Sequence, residues 1–268
     1  MRQLLSSQQI RSFQLEILSA IDAFCRQNGI RYSLCGGTLL GAIRHKGYIP
    51  WDDDVDLIMP REDYDRFVAT FKADGMTVRD LSLEDDCVET FVKVCKDGTV
   101  LVDRNFGREL WGVNVDVFPI DGAPAENSEA FYQGLDRRRS KLLKICPYYR
   151  AVKGKQRIPL FLKYCLKRLV YFYPGSFYSL KKEVVAAQKA IPFRTAPMAG
   201  TFYWVEKART IMTKDVYETF TTVSFEGREY AAVKQYDFYL TRIFGDYMQL
   251  PPVEKQVSHH AYDSYLVQ

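Results

Sequence analysis

Several things are scarce in these 268 residues. There are three histidines, and none lies near any of the six cysteines, which nowhere form a C-x-x-C pair. That spacing speaks against a zinc finger, and the thiols read as reduced core residues. No apolar run reaches the ~18 residues of a membrane span. The first fourteen residues lack the basic-then-apolar order of a signal peptide, so a cytoplasmic protein is the expectation. Repeats and low-complexity tracts are missing too. Acidic residues are absent from 137 to 182, which holds fourteen Lys or Arg, whereas Asp52 to Asp86 holds twelve acids. The net charge of +4 conceals this segregation. Hydrophobic residues at 47% and charged residues at 26% exclude disorder and leave an ordinary globular chain with a sizeable core.

Apolar residues at 10, 13, 17, 20, 21 and 24 form one helical stripe, capped by Ser6 or Ser7 and ended by Gly29. A short strand, 30–34, runs through Gly36-Gly37 into a helix over 38–44. Residues 54–59 alternate as a strand, and Pro60 starts a helix to Phe71. Asp97-Gly98 predicts a hairpin between 91–96 and 99–103. A further strand covers 113–118, with Val113, Val115 and Val117 opposite Asn114 and Asp116. The stretch from about 125 to 200 reads as helical, basic and aromatic. Short strand-like pieces then precede a helix near 235–244 capped by Gly245. The expectation is one α/β (α+β) unit: a core over 1–124, a helical basic insertion over 125–210, and a segment over 211–268 that returns to the core.

The carboxylates carry the chemistry. Asp54 and Asp56 lie two apart in a strand pattern, so they share a face about 6.6 Å apart along the chain. Like charges so placed repel unless a cation lies between them. Oxygen-only donors suit Mg²⁺ or Mn²⁺. Asp116, mid-strand among apolar residues, would complete a divalent-metal site. Gly36-Gly37-Thr38 at a helix start can take an anion. This order has the form of a polymerase-β-like nucleotidyltransferase site on a mixed sheet. A solvated acidic loop, or acids that merely pair with the basic segment, is the simpler alternative.

The run from Gly36 through Leu39, Gly41, Arg44, His45, Gly47, Tyr48, Pro50, Trp51, Asp52, Asp53 and Asp54 to Asp56 resembles the signature of the LicD family of phosphotransferases. Residues 115–121, 225–229, 239–248 and 250–252 agree with it. The resemblance implies transfer of a phosphorylated alcohol, such as phosphocholine, from a CDP-linked donor to a glycan or lipid-linked glycan, with release of CMP. It places metal on Asp54, Asp56 and Asp116, and donor phosphate on Gly36, Gly37 and Thr38. Asp116 is the candidate general base. Arg44 and Lys93 are the first candidates for phosphate oxygens. Trp51 is the best placed of Tyr48, Trp51, Trp111 and Trp204 to face a trimethylammonium group. Asp246 and Tyr247 are candidates for the donor or acceptor pocket. His259 and His260 read as plain surface.

Two other functions compete: nucleotidyl transfer from an NTP with release of pyrophosphate, and non-catalytic binding of membrane or RNA through 137–182. The basic, aromatic stretch suits an anionic membrane surface, at the inner face for a cytoplasmic protein. No nucleic-acid motif is present, and no nucleic acid is expected.

Overall fold

The computed structural model describes residues 2–203, 207–258 and 261–267. Trp204, His259 and His260 lie outside the described residues.

The elements run β1 (Arg2–Leu4), α1 (Ser7–Asn28), β2 (Ser33–Leu34), α2 (Gly36–Arg44), β3 (Asp56–Pro60), α3 (Arg61–Thr70), β4 (Met76–Asp80), β5 (Val92–Lys96), β6 (Thr99–Asp103), β7 (Glu109–Leu110) and β8 (Asn114–Ala123). Helices α4 (Ser128–Ile145), α5 (Arg157–Val170) and α6 (Phe177–Gln188) follow. Then come β9 (Met198–Gly200), β10 (Met212–Thr213), β11 (Phe220–Phe225), β12 (Arg228–Val233), α7 (Tyr236–Phe244) and β13 (Tyr262–Val267).

Local rules explain the ends of several elements. Ser6 accepts the N–H of Gln9, whose side chain returns to the Ser6 N–H, so α1 starts on a capping box. It stops at Gly29, which is left-handed with φ +59°. Two residues with positive φ, Glu226 and Gly227, make the tight turn from β11 into β12.

The fold is α/β. The main sheet runs β10-β9-β8-β3-β2-β12-β11, with β5 also paired to β8 and β4 to β5. It is mixed: β3 lies parallel to β8 and β12 parallel to β2, while the other pairs are antiparallel. Ile17, Leu18 and Ile21 of α1 share one core with Leu57, Val92, Val115 and Val117. A second core under the helical region joins Leu142, Ile145, Phe177, Leu180 and Val184.

Three expectations need correction. Residues 91–103 do not form a hairpin. β5 pairs with β4 and β8, whereas β6 pairs with β13 and β7 in a separate four-stranded sheet. Asp97-Gly98 does turn the chain, but the turn hands it from one sheet to the other: Asp97 N–H bonds the Gly75 carbonyl, and the Gly98 carbonyl accepts Val267 N–H. The aspartate strand begins at Asp56 rather than Asp54, although Asp116 N–H already bonds the Val55 carbonyl. Finally, α2 starts at Gly36, two residues before Thr38, because Gly36 adopts a φ of +53° that L residues avoid.

Candidate active site

Sheet register builds the centre of the site. Asp56 of β3 lies directly beside Asp116 of β8, and Asp116 lies directly opposite Lys93 of β5. Paired residues on neighbouring strands share a face, with strands ~4.8 Å apart. Asp56, Asp116 and Lys93 therefore stand in one row across three strands. The Lys93 ammonium donates to both Asp116 carboxylate oxygens, at 2.5 and 2.6 Å. Asn114 donates to the same carboxylate at 2.5 Å. Lys93 is also over the rings of Trp111 and Phe91, at 5.0 and 5.3 Å from their centroids.

The electrostatics are lopsided. Burial pushes the Asp56 carboxyl well above its usual range, and Asp54, Asp116 and Asp52 push it further; Lys93 alone opposes them. Burial works against the charge on Lys93, but the contact with Asp116 outweighs it and holds the ammonium above its ordinary value. Asp52, Asp54, Asp56 and Asp116 thus lie within electrostatic reach of one another, with Lys93 among them. Such an all-oxygen set fits a hard divalent cation.

The glycines fit this site for two different physical reasons. Gly36 supplies the positive φ that starts α2. Gly37 supplies room: a Cβ there would lie 2.5 Å from Asp52 Oδ2. The Thr38 hydroxyl is buried and accepts the Asp56 N–H at 2.9 Å, while Cys35 N–H bonds the Asp56 carbonyl at 3.1 Å. These two bonds tie the start of α2 to the aspartate strand.

The acidic loop between α2 and β3 is held from outside. Arg11 and Gln14 of α1 donate to the carbonyls of Asp52 and Asp53, at 3.1 and 2.8 Å. Ser258 donates to the Asp53 carboxylate at 2.7 Å. Glu226, at the β11–β12 turn, accepts the Tyr48 N–H at 3.0 Å and donates its own N–H to the Lys46 carbonyl. Its carboxylate fills the space that a side chain at Gly47 would need. A Cβ at Gly41 would lie 2.5 Å from the Gly47 carbonyl oxygen. Sequence reasoning assigned no role to Arg11, Gln14, Ser258 or Glu226. Only Glu226 carried a signal, since it sits in the 225–229 motif.

Other sequence candidates sit further from this row in their bonding. Arg44 donates to the carbonyls of Tyr247 and Gln249, at 2.7 and 3.3 Å, and to His45 at 2.9 Å, so it links the first motif to the last. Burial, and then Arg44, push the His45 imidazolium below its usual range. Tyr247 is buried and donates its hydroxyl to Asp237 at 2.6 Å, whereas Asp246 is exposed. Trp51 is half-buried, edge-on to His45 at 6.3 Å. Tyr48 is buried, donates to Gln14 at 3.1 Å and has Arg11 over its ring.

Among the described residues, the side chains whose ligand atoms come within 4.8 Å of one another as a trio are Glu84, Asp86 and Cys87, not the three aspartates. That trio has the wrong chemistry for a metal. Burial pushes the Cys87 thiol up to about 12, the Lys181 ammonium sits 3.5 Å from its sulfur, and Arg79 and Arg108 already pair with Glu84 and Asp86. The Asp116 carboxylate has Lys93 and Asn114 as hydrogen-bond partners.

A mixed sheet with two adjacent aspartate strands and a glycine-started helix defines an α/β protein of the nucleotidyltransferase-like class. The comparisons agree. Residues 29–134 match the model of the "LicD/FKTN/FKRP, nucleotidyltransferase domain" family. Over 262 residues the chain is 31% identical to the lipopolysaccharide cholinephosphotransferase LicD of Haemophilus influenzae, covering 94% of this chain and 95% of that protein. A stretch of 35 residues is 63% identical to the ribitol 5-phosphate transferase FKRP of mouse and of human, covering 13% of this chain and 7% of each. This chain belongs to the LicD/FKTN/FKRP family. It is a phosphotransferase.

Proposed function

We propose that this enzyme transfers a phosphorylated alcohol, phosphocholine or a near relative, from a CDP-activated donor to a hydroxyl of a cell-surface glycan, and releases CMP. The observation that carries this is the row Asp56–Asp116–Lys93 set beside the α2 start. The LicD relative, named for cholinephosphate transfer to lipopolysaccharide, supports the transferred group and the acceptor class.

Asp54, Asp56 and Asp116 would hold Mg²⁺ (or Mn²⁺), which when bound offsets phosphate charge and the charge growing on the departing CMP. The chain supplies the rest. Backbone N–H groups at Gly36, Gly37 and Thr38 face the donor phosphates from the positive end of α2. The acceptor oxygen attacks the phosphorus that bears the alcohol. The bond from that phosphorus to the bridging oxygen breaks, and CMP keeps the bridging oxygen. Asp116 takes the hydroxyl proton, which requires an approach of ~2.6–3.2 Å, directly or through one water. Lys93, already on Asp116, orients that carboxylate and adds positive charge for the phosphoryl group. Arg44 acts by fixing the final motif against α2.

The test is a screen of CDP-alcohols with Mg²⁺ and a lipopolysaccharide or teichoic-acid type acceptor, scored by released CMP. Pyrophosphate from an NTP, with no CMP from any CDP donor, would instead establish nucleotidyl transfer. Unchanged rates in purified Asp56→Ala protein would remove the aspartate site altogether.

A further inference from the structure

Helix α5 is unlike the other helices: none of its residues is buried. Its sequence does not explain this as a polar helix. Ile158, Leu162, Leu166, Leu169 and Val170 recur at three- and four-residue steps and form one apolar stripe. The structure turns that stripe outward. Leu162 is 61%, Leu166 64% and Leu169 77% exposed. The inward side is aromatic: Phe161 and Tyr164 pack on the Tyr149 ring at 5.0 and 5.2 Å. The helix ends at Tyr171, and the next residue, Phe172, takes a φ of +25° that leaves its ring 83% exposed. A bulky residue rarely adopts that backbone.

Charge borders one edge of the stripe. On a helical projection Lys163 and Lys167 adjoin it, whereas Arg157 and Arg168 fall on the side of Phe161 and Tyr164. Arg168 is tied to the carbonyls of Tyr173 and Gly175, which closes the chain back on the helix end. No acid occurs between 137 and 182. A partner must therefore be apolar beneath and anionic at its surface. A second copy of this face supplies the apolar part but sets its lysines against like charges.

We propose that α5 and Phe172 dock in the surface of a bilayer containing anionic phospholipid, with the helix in the interface plane. The helix has 14 residues, about 21 Å at 1.5 Å per residue, too short to span a bilayer. Among the described residues no helix is long and apolar enough to cross one. In-plane docking places Leu162, Leu166, Leu169 and Phe172 among the acyl chains, while Lys163 and Lys167 reach the headgroups. The inference does not depend on which donor the enzyme uses.

The test uses the purified full chain and flotation with vesicles of phosphatidylglycerol plus phosphatidylcholine, or of phosphatidylcholine alone. Wild-type protein is expected to float with the anionic vesicles and to release in high salt. Leu162→Glu with Leu166→Glu should lower partitioning by about 100-fold or more, given the transfer value of two leucine side chains. Lys163→Glu with Lys167→Glu should abolish the preference for phosphatidylglycerol. Leu162, Leu166 and Lys163 are exposed and Lys167 is half-buried at the helix surface, so thermal melts should stay close to wild type. If the leucine pair does not fold, Leu169→Ser with Phe172→Ser repeats the test at the two most exposed positions. The proposal is overturned by wild-type protein that ignores anionic vesicles, that floats equally with both kinds, or that keeps full binding after loss of the stripe. It is equally overturned if sedimentation shows a dimer that the leucine pair dissolves while vesicle binding is absent.

Discussion

Lys93→Met removes the one ammonium from the carboxylate row without changing side-chain bulk much. In the folded protein the Lys93–Asp116 pair is close, 2.5 and 2.6 Å, and its side chains are 10% and 15% exposed. The pair counts as buried, so loss of one partner should cost about 3–5 kcal/mol, chiefly the penalty of an orphaned carboxylate. Asp116 would then face Asp56 one strand spacing away with nothing positive between them. At ~2–4 °C per kcal/mol for a chain of this size, the melting temperature in chelator should fall by roughly 6–20 °C. Asp116→Asn added to Lys93→Met removes the orphaned charge and should recover part of the loss, with a coupling of about 2 kcal/mol. Thermal melts of wild type, both single variants and the double variant in EDTA provide the cycle. Magnesium should narrow the gap for Lys93→Met and leave the double variant nearly unmoved. A Lys93→Met melt within ~2 °C of wild type would refute this account, since a buried pair cannot be that cheap to break. So would additive effects of the two substitutions.

Asp56→Asn should abolish turnover yet stabilise the metal-free protein near neutral pH. Burial, and then the neighbouring aspartates, raise this carboxyl well above its ordinary value, so the folded state keeps the proton to higher pH than the unfolded state. Stability without metal therefore rises as pH falls through the raised value and levels off near the unfolded one, and Asp56→Asn should flatten that slope in melts across pH. Gly37→Ala should lower activity far more than stability, because the new Cβ displaces the Asp52 carboxylate 2.5 Å away; a matching loss of both, by activity assay and melt, would contradict this. Glu226→Ala should cost about 1–3 kcal/mol by leaving the turn at Tyr48 without its acceptor, and should reduce kcat as the acidic loop loosens. Arg61→Met should be among the most damaging changes outside the site, about 3–5 kcal/mol, because it orphans Asp121, to which Arg61 donates twice at 2.7 Å.

Near-neighbour physics made much of this protein legible in its sequence. The capping box at Ser6, the stop at Gly29 and the cap at Gly245 each depend on a few adjacent residues, whereas the turn at Glu226-Gly227 interrupts what reads as a strand-like piece over 225–229. The alternation around Asp116 survived for the same reason: Val115 and Val117 are fully buried while Asp116 is only partly so. The diglycine, the Asp-x-Asp spacing and the later aspartate were likewise visible as a set. Even the outward stripe of α5 was written in its residues, since Leu160 to Tyr173 interleave with lysines.

What lay beyond reach depends on pairs far apart in the chain. No local rule places Lys93 on Asp116, 23 residues away, rather than in solvent; β5 has to lie beside β8 for that. No local rule sends Thr99–Asp103 to Tyr262–Val267 instead of to its sequence neighbour, because a two-residue turn reverses the chain without choosing which strand receives it. Arg44 similarly meets the Tyr247 carbonyl only once α7 has packed near α2. Backbone preference and alternation act over a handful of residues, so the sequence alone determined where α1 begins and ends and which strand faces are apolar. Strand order and register decide which charges become neighbours, and those belong to the assembled sheet.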